Sequence, residues 1–356
     1  MNHNNKSKLK NIQIGNKIIG VGKPCFIIAE AGVNHNGSFL LAKKLVDAAV
    51  RVKADAVKFQ IVKASEVVTK KAGLLEYQTK NAKHQKTQYE LIKELELTSN
   101  NFIKLKEHCD KKGIIFLASF VTPDAVDVMG NLVPAFKIAS PDLTNDPLIK
   151  KIALKKKPLI VSTGMATLEE VKKAKKIIEK TGNNKIIILH CTSSYPCPFE
   201  EVNLNAMLTL RNELNCFVGY SDHTVGITVP IMAVTLGASV IEKHFTLDKN
   251  LPGPDHKASL EPNEFLKMVK EIRIAEKALG DETKRASATE KKNMLLIRKS
   301  IVAVRPILKG EKIVEEMLAM KRPGTGLKPS EIHKILNKLA IVNIEEDKLI
   351  SVKMVK

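Results

Sequence analysis

Two histidines near the end of a run of alternating strand and helix patterns have the spacing of a metal site. His223 lies in YSDHT and His244 in IEKHFT, and the separation, 244 − 223 = 21 residues, is one strand–helix–strand step. Because neighbouring parallel strands end at one edge of a sheet, both imidazoles are expected at the same rim. Paired histidines there can hold a catalytic divalent metal and leave positions open for substrate and water. The alternative is one histidine capping a helix after Asp222 and one buried histidine with ordinary partners.

The length and composition of the chain limit the kind of protein it encodes. At 356 residues it suits one barrel plus an accessory domain, and a hydrophobic content of 44% is ample for a core. It contains no run of eighteen apolar residues, and its start, MNHNNKSKLKN, lacks the apolar stretch of a secretory signal. We therefore expect a cytoplasmic protein with no membrane partner. The five cysteines have no CxxC spacing, which argues against a disulfide framework or a zinc knuckle.

A formal net charge of +20 raises the question of nucleic-acid binding. The lysines, however, are scattered over helix-patterned segments such as 171–180, where they form the polar face of an amphipathic helix. Tryptophan is absent and aromatic residues make up only 4%, which leaves little surface for stacking on bases. We therefore expect no nucleic-acid partner, and we ascribe the charge to a lysine-rich surface whose positive field attracts small anionic substrates.

Eight strand-like runs alternate with helical patterns through most of the chain. Near-continuous Val and Ile, as in KIIIL, indicate strands buried on both faces, and eight such units predict a closed (β/α)₈ TIM barrel. An open doubly wound sheet is the alternative, but no GxGxxG motif follows the first strand. The predicted strands are CFIIAE (25–30), AVKFQ (56–60), GIIFLAS (113–119), AFKIAS (135–140), PLIVST (158–163), KIIILHCT (185–192), CFVGYS (216–221) and ASVIEKHF (238–245).

Further segments flank the barrel pattern. Residues 11–20 have the pattern of a hairpin that covers the N-terminal end of the barrel, and the barrel domain as a whole is predicted to span 1–280. The polar stretch 281–293 is predicted to be a linker. Residues 294–356 then form a small second domain with short β-like pieces, Pro and Gly punctuation and one helix, 330–339.

The second domain displays a basic turn, KRPGTGL, at 321–327. In the functional interpretation, Arg322 enters an active site, either that of its own chain or that of a partner subunit. A guanidinium suits this role because it recognises carboxylate and phosphate groups in a fixed geometry. The alternative interpretation is an ordinary surface turn.

Polar residues collect where the predicted strands end, which is where a barrel builds its active site. Lys58 and Lys137 lie within apolar strands, and burying an unpaired ammonium group costs several kcal/mol unless an anion meets it. They are therefore candidate ligands of a phosphate or carboxylate group. The alternative is an internal ion pair with Glu30 or Asp142. The polar strand ends comprise Glu30, Lys58, Gln60, Ser119, Lys137, Ser140, Ser162, Thr192, Ser193, Ser221, His223, Glu242 and His244.

Eight motifs follow one another along essentially the whole chain. They are AEAGVNHNG (29–37), AVKFQ (56–60), FKIAS (136–140), STGMAT (162–167), LHCTSSYP (189–196), YSDHT (220–224), EKHFT (242–246) and GPDHKASLEP (253–262). Together they resemble the sialic acid synthase family. The resemblance implies condensation of phosphoenolpyruvate with an N-acetylated amino sugar to give a nine-carbon nonulosonic acid. The C-terminal segment resembles that family's antifreeze-like, or SAF, domain.

The resemblance also implies roles for individual residues. His223 and His244 would be the protein ligands of a divalent metal, Mn²⁺ in the first place, with Mg²⁺ or Co²⁺ as alternatives. Glu30 would be the acid/base residue beside the reacting carbon. Phosphoenolpyruvate would contact Lys58, Lys137, Ser162, Ser193 and Ser221. The sugar would contact Gln60, Asn81, Tyr195, Asp255 and Arg322, the last supplied in trans within a domain-swapped homodimer.

Departures from the family's motifs concern the phosphate and the sugar. Residues 118–121 are Ala-Ser-Phe-Val where Ser-Thr-Pro-Phe is usual, Ser193 stands where Asn is usual, and Pro141 stands where Gly is usual. N-acetylmannosamine, the first expectation, would give N-acetylneuraminate. The alternative sugar, 2,4-diacetamido-2,4,6-trideoxymannose, would give N,N′-diacetyllegionaminate. The AEAGVNHNG form favours these two products over pseudaminate.

Two other classes of protein compete with the enzyme. The antifreeze-like module suggests a carbohydrate- or ice-binding protein, and the positive charge suggests a nucleic-acid binder. Neither class needs paired histidines and buried lysines at a barrel rim. Phosphate release from phosphoenolpyruvate in the presence of Mn²⁺ and an amino sugar distinguishes all three.

Overall fold

The computed structural model describes residues 9–75, 78–79 and 87–356, and its centre is a closed barrel of parallel strands. Two short strands, β1 (Ile12–Ile14) and β2 (Lys17–Ile19), first form an antiparallel hairpin. The barrel strands are β3 (Phe26–Gly32), β4 (Ala56–Ile61), β5 (Ile115–Phe120), β6 (Phe136–Ile138), β7 (Leu159–Ser162), β8 (Ile186–Cys191), β9 (Phe217–Asp222) and β10 (Val240–His244). They pair in chain order and close between β10 and β3, which confirms the predicted (β/α)₈ barrel.

Helices connect the barrel strands. They are α1 (Phe39–Arg51), α2 (Ala64–Val67), α3 (Gln88–Leu95), α4 (Ser99–Lys112), α5 (Pro123–Met129), α6 (Asp146–Leu154), α7 (Leu168–Lys180), α8 (Ala206–Leu214), α9 (Thr228–Thr235) and α10 (Pro262–Leu279). Helix α9 is short, because Gly226 and Gly237 on either side of it adopt positive φ angles of 81° and 95° that favour turns. Across the described ranges, no helix combines the length and the apolar character needed to cross a membrane.

Side chains of the barrel strands alternate between two apolar layers. One layer, between the strands and the helices, includes Ala29, Val57, Tyr220 and Ile241. The other fills the N-terminal half of the barrel interior, with Phe26, Ile28, Ala56, Leu117, Ile160, Leu189, Phe217 and Val240. Successive strand residues point to opposite faces, so positions two and four residues beyond the interior layer also face inward. Those positions are the polar ones that form the site.

The hairpin packs against the N-terminal end of the barrel, as predicted for residues 11–20. Ile12, Ile14 and Ile19 are buried in the same apolar cluster as the barrel interior. Gly15 forms the turn with φ +57°, and a Cβ atom there would lie 3.0 Å from the Ile115 Cδ1 atom. This end of the barrel is therefore filled by apolar side chains, which leaves binding to the opposite end.

Residues 281–356 form a second compact unit, and residues 1–280 form the first. The second unit contains helix α11 (Ala288–Ile297) and an antiparallel pair of strands, β11 (Ser300–Ala303) and β12 (Leu318–Lys321). It has an apolar core of its own, which includes Ile301, Ile307, Ile313, Ile335, Ile344 and Ile350.

The segment predicted to be a linker, 281–293, is helical in its second half. Helix α11 begins at Ala288 behind a capping box, in which Ser287 accepts from the Glu290 backbone and Glu290 accepts from the Ser287 backbone. Polarity alone favours a linker, but a capping box supplies the first turn of a helix with hydrogen-bond partners. The capping residues therefore outweigh the polar composition.

The helix predicted over 330–339 is wrong. The structure has a 3₁₀ turn, Pro329–Lys334, after which Asn337 adopts a left-handed conformation with φ +66°. A residue in that conformation ends a right-handed helix. Ile335 packs in the core of the second unit and Ile332 packs against it, whereas Leu339 is exposed.

We predict that Ile14→Ala lowers the free energy of unfolding by about 2–5 kcal/mol, because it opens a cavity between the hairpin and the barrel interior. Ile18→Ala is the matched control, since Ile18 lies on the same hairpin but is 47% exposed. That variant should change the unfolding free energy by less than about 0.5 kcal/mol. Urea unfolding followed by circular dichroism measures both. Equal effects would show that the hairpin does not seal the barrel.

Candidate active site

The C-terminal end of the barrel interior is lined by buried charged side chains. Glu30, Lys58, Lys137 and Glu242 are each at most 5% exposed. They continue the inward-facing series of β3, β4, β6 and β10 beyond the apolar layer. Strand register places Glu30 beside Lys58 on one side and beside His244 on the other. The closed barrel therefore gathers residues from distant parts of the sequence around one point.

Both lysines are ion-paired inside the barrel. Lys58 Nζ lies 2.7 Å from Glu30 Oε2 and 3.6 Å from Glu242 Oε2. Lys137 Nζ lies 3.7 Å from Glu242 Oε1. The pairing with Glu30 that the sequence allowed as an alternative is present. The pairing with Asp142 is wrong, because Glu242 on β10, the strand opposite β6, is the carboxylate that faces Lys137.

The buried charges shift one another's pKa values. Burial raises the pKa of Glu30 to about 6, although the Lys58 ammonium opposes the shift. Burial lowers the pKa of Lys137, although Glu242 opposes the shift. Burial acts in the same direction on Lys58, but Glu242 and Glu30 outweigh it and raise the pKa. The site therefore holds two cations and a carboxyl group, Glu30, that can exchange a proton near neutral pH.

Two of the predicted serine ligands bond to these charged groups. Ser162 Oγ accepts a hydrogen bond of 2.6 Å from Lys137 Nζ. Ser221 Oγ donates a hydrogen bond of 3.1 Å to Glu242 Oε1. Both serines are buried. The structure therefore places their hydroxyl groups within the same set of charges as the lysines.

The absence of a side chain at Gly164 leaves room for two serines. One is Ser193, the third predicted phosphoenolpyruvate ligand, and the other is Ser140, which was not among those ligands. A Cβ atom at Gly164 would collide with Ser193 Oγ and would lie 2.9 Å from Ser140 Oγ. The Gly164 backbone N–H donates a hydrogen bond of 3.0 Å to Ser140 Oγ. The absence of a Cβ atom at Gly164 therefore lets both hydroxyl groups approach its backbone closely.

His223 and His244 lie side by side at the rim, with ring centroids 5.3 Å apart. His223 Nδ1 donates a hydrogen bond of 2.6 Å to the Thr192 carbonyl oxygen, so its Nε2 is the nitrogen that can bind a metal. His244 Nδ1 is buried, has no hydrogen-bond partner among the described residues and lies 3.8 Å from Asp255 Oδ2. Burial holds the pKa of His244 well below its usual range, so this ring is neutral.

The two rings suit an open metal site better than a closed one. In the ranges that the structure describes, no group of three or more His, Cys, Asp or Glu side chains is arranged to hold an ion. Burial lowers the pKa of His223, but Cys191, the Thr192 carbonyl and Asp222 together outweigh it and raise the pKa, so that a metal competes with a proton. Two imidazoles fit a first-row divalent ion whose other positions stay open.

Three of the residues predicted to contact a sugar surround this centre. Gln60 and Asp255 meet at Gly32, which has φ +51°. A Cβ atom there would lie 3.4 Å from Gln60 Nε2 and 3.7 Å from Asp255 Oδ2. The Tyr195 ring lies 4.1 Å from the His223 ring, measured between centroids. The structure therefore brings polar and aromatic groups together beside the histidines.

The two remaining predicted sugar contacts are Asn81 and Arg322. Asn81 lies outside the described residues. Arg322 is exposed on the second unit, residues 281–356, and its role in trans stays a prediction.

Glu242 is a central residue of the site to which the sequence analysis assigns no role. A signal for it exists in the sequence. A carboxylate two residues before His244 in a buried strand faces the same side as the histidine. It needs a cation as much as a buried lysine needs an anion. Ser140 is among the predicted polar strand ends, but its contact with Gly164 gives no signal in the sequence, because it depends on the packing of two loops.

Taken together, the fold and the site define a barrel enzyme that handles small anions, with buried lysines, a carboxyl group of raised pKa and paired histidines at its C-terminal rim. The NeuB family model matches residues 45–284, and the SAF domain model matches residues 298–356. The chain therefore belongs to the NeuB family. This confirms the predicted sialic acid synthase family and the C-terminal SAF domain.

The chain is similar to enzymes of known activity over nearly its whole length. The N,N′-diacetyllegionaminic acid synthase of Legionella pneumophila is 47% identical over 335 residues, 93% of this chain and 94% of that protein. The N-acetylneuraminate-9-phosphate synthase of Homo sapiens is 36% identical over 340 residues, 95% of this chain and 94% of that protein. A crystal structure of N-acetylneuraminic acid synthetase from Leptospira borgpetersenii with citrate is 36% identical, with a TM-score of 0.72. It covers 80% of this chain and 95% of its own.

We predict that Lys58→Met lowers the free energy of unfolding of the ligand-free protein by about 3–5 kcal/mol, because Glu30 loses the cation beside it in a buried site. The double variant Lys58→Met, Glu30→Gln removes both charges and should regain most of that loss. Lys151→Met is the control. It breaks an exposed ion pair with Asp127 and should cost less than about 1 kcal/mol. Urea unfolding at pH 7 measures all three, and equal losses in the single and double variants would contradict the pairing.

Proposed function

We propose that this chain condenses phosphoenolpyruvate with an N-acetylated amino sugar and water, giving a nonulosonic acid and phosphate. The observation that carries the proposal is the pair of buried lysines, Lys58 and Lys137, beside two histidines at the C-terminal end of the barrel. Similarity to synthases of legionaminic and neuraminic acids supports it. A carbohydrate-binding or nucleic-acid-binding protein would have no use for these buried groups.

Phosphoenolpyruvate suits the charges of the site. Its phosphate and carboxylate groups are anions, and the site presents two ammonium groups that Glu30 and Glu242 balance in the free protein. Burial lowers the pKa of Lys137, so a second anion beside it favours the charged form. Ser162 and Ser221 supply hydroxyl groups beside these charges, and Ser193 supplies another next to Gly164.

The reaction needs one bond from carbon to carbon and one addition of water. C3 of phosphoenolpyruvate attacks the aldehyde carbon of the open-chain sugar, whose oxygen takes up a proton and becomes a hydroxyl group, and positive charge develops at C2. Water adds to C2 and loses one proton, the bond from C2 to the phosphate oxygen breaks as C2 becomes a carbonyl carbon, and phosphate leaves with the second proton of the water. Glu30 takes the first proton of that water, because a carboxyl group with a pKa of about 6 is largely ionised at neutral pH yet basic enough to accept it. The lysines meet the negative charge without rearrangement.

His223 and His244 would hold a divalent metal ion, for which we propose Mn²⁺. When bound, such an ion supplies Lewis-acid polarisation of the sugar's aldehyde oxygen. The Thr192 carbonyl orients the His223 ring through Nδ1. The buried Asp255 carboxyl group lies beside His244, and Gln60 and Tyr195 line the adjoining space for the sugar.

For the sugar, we propose 2,4-diacetamido-2,4,6-trideoxymannose ahead of N-acetylmannosamine, which was the first expectation from the sequence. The support is the identity of 47% to an N,N′-diacetyllegionaminic acid synthase against 36% to an N-acetylneuraminate-9-phosphate synthase, each over more than nine-tenths of the chain. The product would then be N,N′-diacetyllegionaminate.

We also propose the domain-swapped homodimer, in which Arg322 of one subunit completes the sugar site of the other. Arg322 is exposed on a unit with its own core, and a guanidinium is suited to polar recognition in a closed site. The first unit contains the predicted metal and phosphoenolpyruvate ligands, so only the sugar contact would come from the partner.

We predict phosphate release when the purified protein is mixed with phosphoenolpyruvate, Mn²⁺ and the diacetylated sugar, with slower release for N-acetylmannosamine. His223→Ala and His244→Ala should each abolish phosphate release, because each removes a ligand of the metal. Chelation should have the same effect, because it removes the metal itself. His333→Ala, an exposed histidine of the second unit, is the control and should keep the activity. No release with either sugar would contradict the proposed function.

We predict that mixing inactive Arg322→Ala with inactive His223→Ala restores activity after subunit exchange. If Arg322 acts in trans, a mixed dimer has one site with both groups intact and one with neither. Activity should then return at up to about half of the wild-type value for each mixed dimer by site counting. Arg322→Ala mixed with itself is the control. Demonstrated exchange without any recovery would contradict the swapped arrangement.

A further inference from the structure

Two charged residues on the outer face of the barrel form a fully buried ion pair. Lys243 Nζ lies 2.5 Å from Asp222 Oδ2, and both side chains are 0% exposed. They alternate with the inward-facing residues of β9 and β10, so they point toward the helices, into the layer that contains Tyr220 and Ile241. The pair is therefore separate from the charges inside the barrel.

The pair also holds the chain just beyond the end of β9. Asp222 Oδ1 accepts a hydrogen bond of 2.9 Å from the Thr224 backbone N–H, and Asp222 Oδ2 accepts one of 3.2 Å from Thr224 Oγ1. Lys243 Nζ donates a short hydrogen bond to the Thr224 carbonyl oxygen. Three groups of Thr224 are thereby fixed to a side chain of β9 or β10.

These contacts begin where the backbone pairing of the two strands stops. The register between β10 and β9 ends at Lys243 and Asp222. His223 is the first residue after β9 and His244 is the last residue of β10, so no further pair of that ladder aligns the two imidazoles. Asp222 and Thr224 are the residues on either side of His223. The hydrogen bonds that link Thr224 to Asp222 and Lys243 therefore fix the chain directly before and directly after this histidine.

Stability alone does not account for such a pair. Removing two charges from water is costly, and replacing a buried ion pair by well-packed neutral side chains is often neutral or stabilising. A buried pair does restrict geometry, because both partners must keep their positions to remain compensated. The contacts with Thr224 direct this restriction to the segment that carries a histidine of the site.

We infer that Asp222 and Lys243 are positioning residues that hold the His223 and His244 rings at the separation needed to share one divalent metal ion. The inference rests on the proposed function for the metal site. Neither residue touches substrate in this arrangement, since both face away from the barrel interior. Their effect passes through Thr224 to the neighbouring histidine.

The test uses the double variant Asp222→Asn, Lys243→Met in the full-length protein. It leaves no uncompensated charge, and Asn keeps an acceptor for Thr224, so the fold should survive with a thermal midpoint near that of the wild type. The readout is Mn²⁺ affinity, titrated by the electron paramagnetic resonance signal of free Mn²⁺, with His223→Ala defining binding elsewhere. We expect Mn²⁺ affinity at least tenfold weaker and phosphoenolpyruvate affinity within twofold of wild type.

A control and a second variant make the outcome decisive. Lys249→Met, Glu264→Gln removes another ion pair that follows β10 and should leave Mn²⁺ affinity unchanged. Thr224→Val removes only the bond to Asp222 Oδ2 and should weaken Mn²⁺ binding about threefold, which keeps the test available if the double variant does not fold. Wild-type Mn²⁺ affinity in the folded variants would overturn the inference alone. Wild-type protein without histidine-dependent Mn²⁺ binding would overturn both the inference and the proposed metal site.

Discussion

The buried charges inside the barrel must balance one another, and the architecture around them follows from that requirement. Two ammonium groups and two carboxyl groups, those of Lys58, Lys137, Glu30 and Glu242, share a space closed below by the apolar layer and the hairpin. None of these charges could be buried alone, because each would lose its hydration without compensation. The four strands that carry them must therefore keep their register for the site to exist.

This balance also explains how the site can serve an anionic substrate. In the free protein the carboxylates compensate the lysines, and an arriving anion finds cations already in place. Burial raises the pKa of Glu30 to about 6, so the same carboxylate that neutralises Lys58 can also move a proton. Hydroxyl groups around Gly164 add donors without charge. In the proposed function, anion binding and proton transfer therefore both depend on one cluster of buried groups.

Side chains of a β-strand face alternate sides, so β9 and β10 each contribute to two separate sets of contacts. Their inward residues, Ser221 and Glu242, bond to each other within the site. Their outward residues, Asp222 and Lys243, form the ion pair beneath the helices. Since neighbouring residues face opposite sides, a site and the ion pair behind it are encoded in consecutive positions of the same strands. The motifs around the two histidines are polar on both faces for this reason.

The barrel, the hairpin and the polar strand ends follow from local patterns in the amino-acid sequence. Buried Val and Ile runs and their alternation with helical patterns are local properties, and they place Lys58, His223 and His244 at one rim. The carboxylate that meets Lys137, by contrast, follows from contacts between strands far apart in the sequence. Glu242 does so because β10 stands opposite β6 in the closed barrel, and contacts across a barrel depend on closure, which no local pattern encodes. The same holds for Ser140 and Ser193, which lie close to Gly164 only when the segments after β6, β7 and β8 pack together.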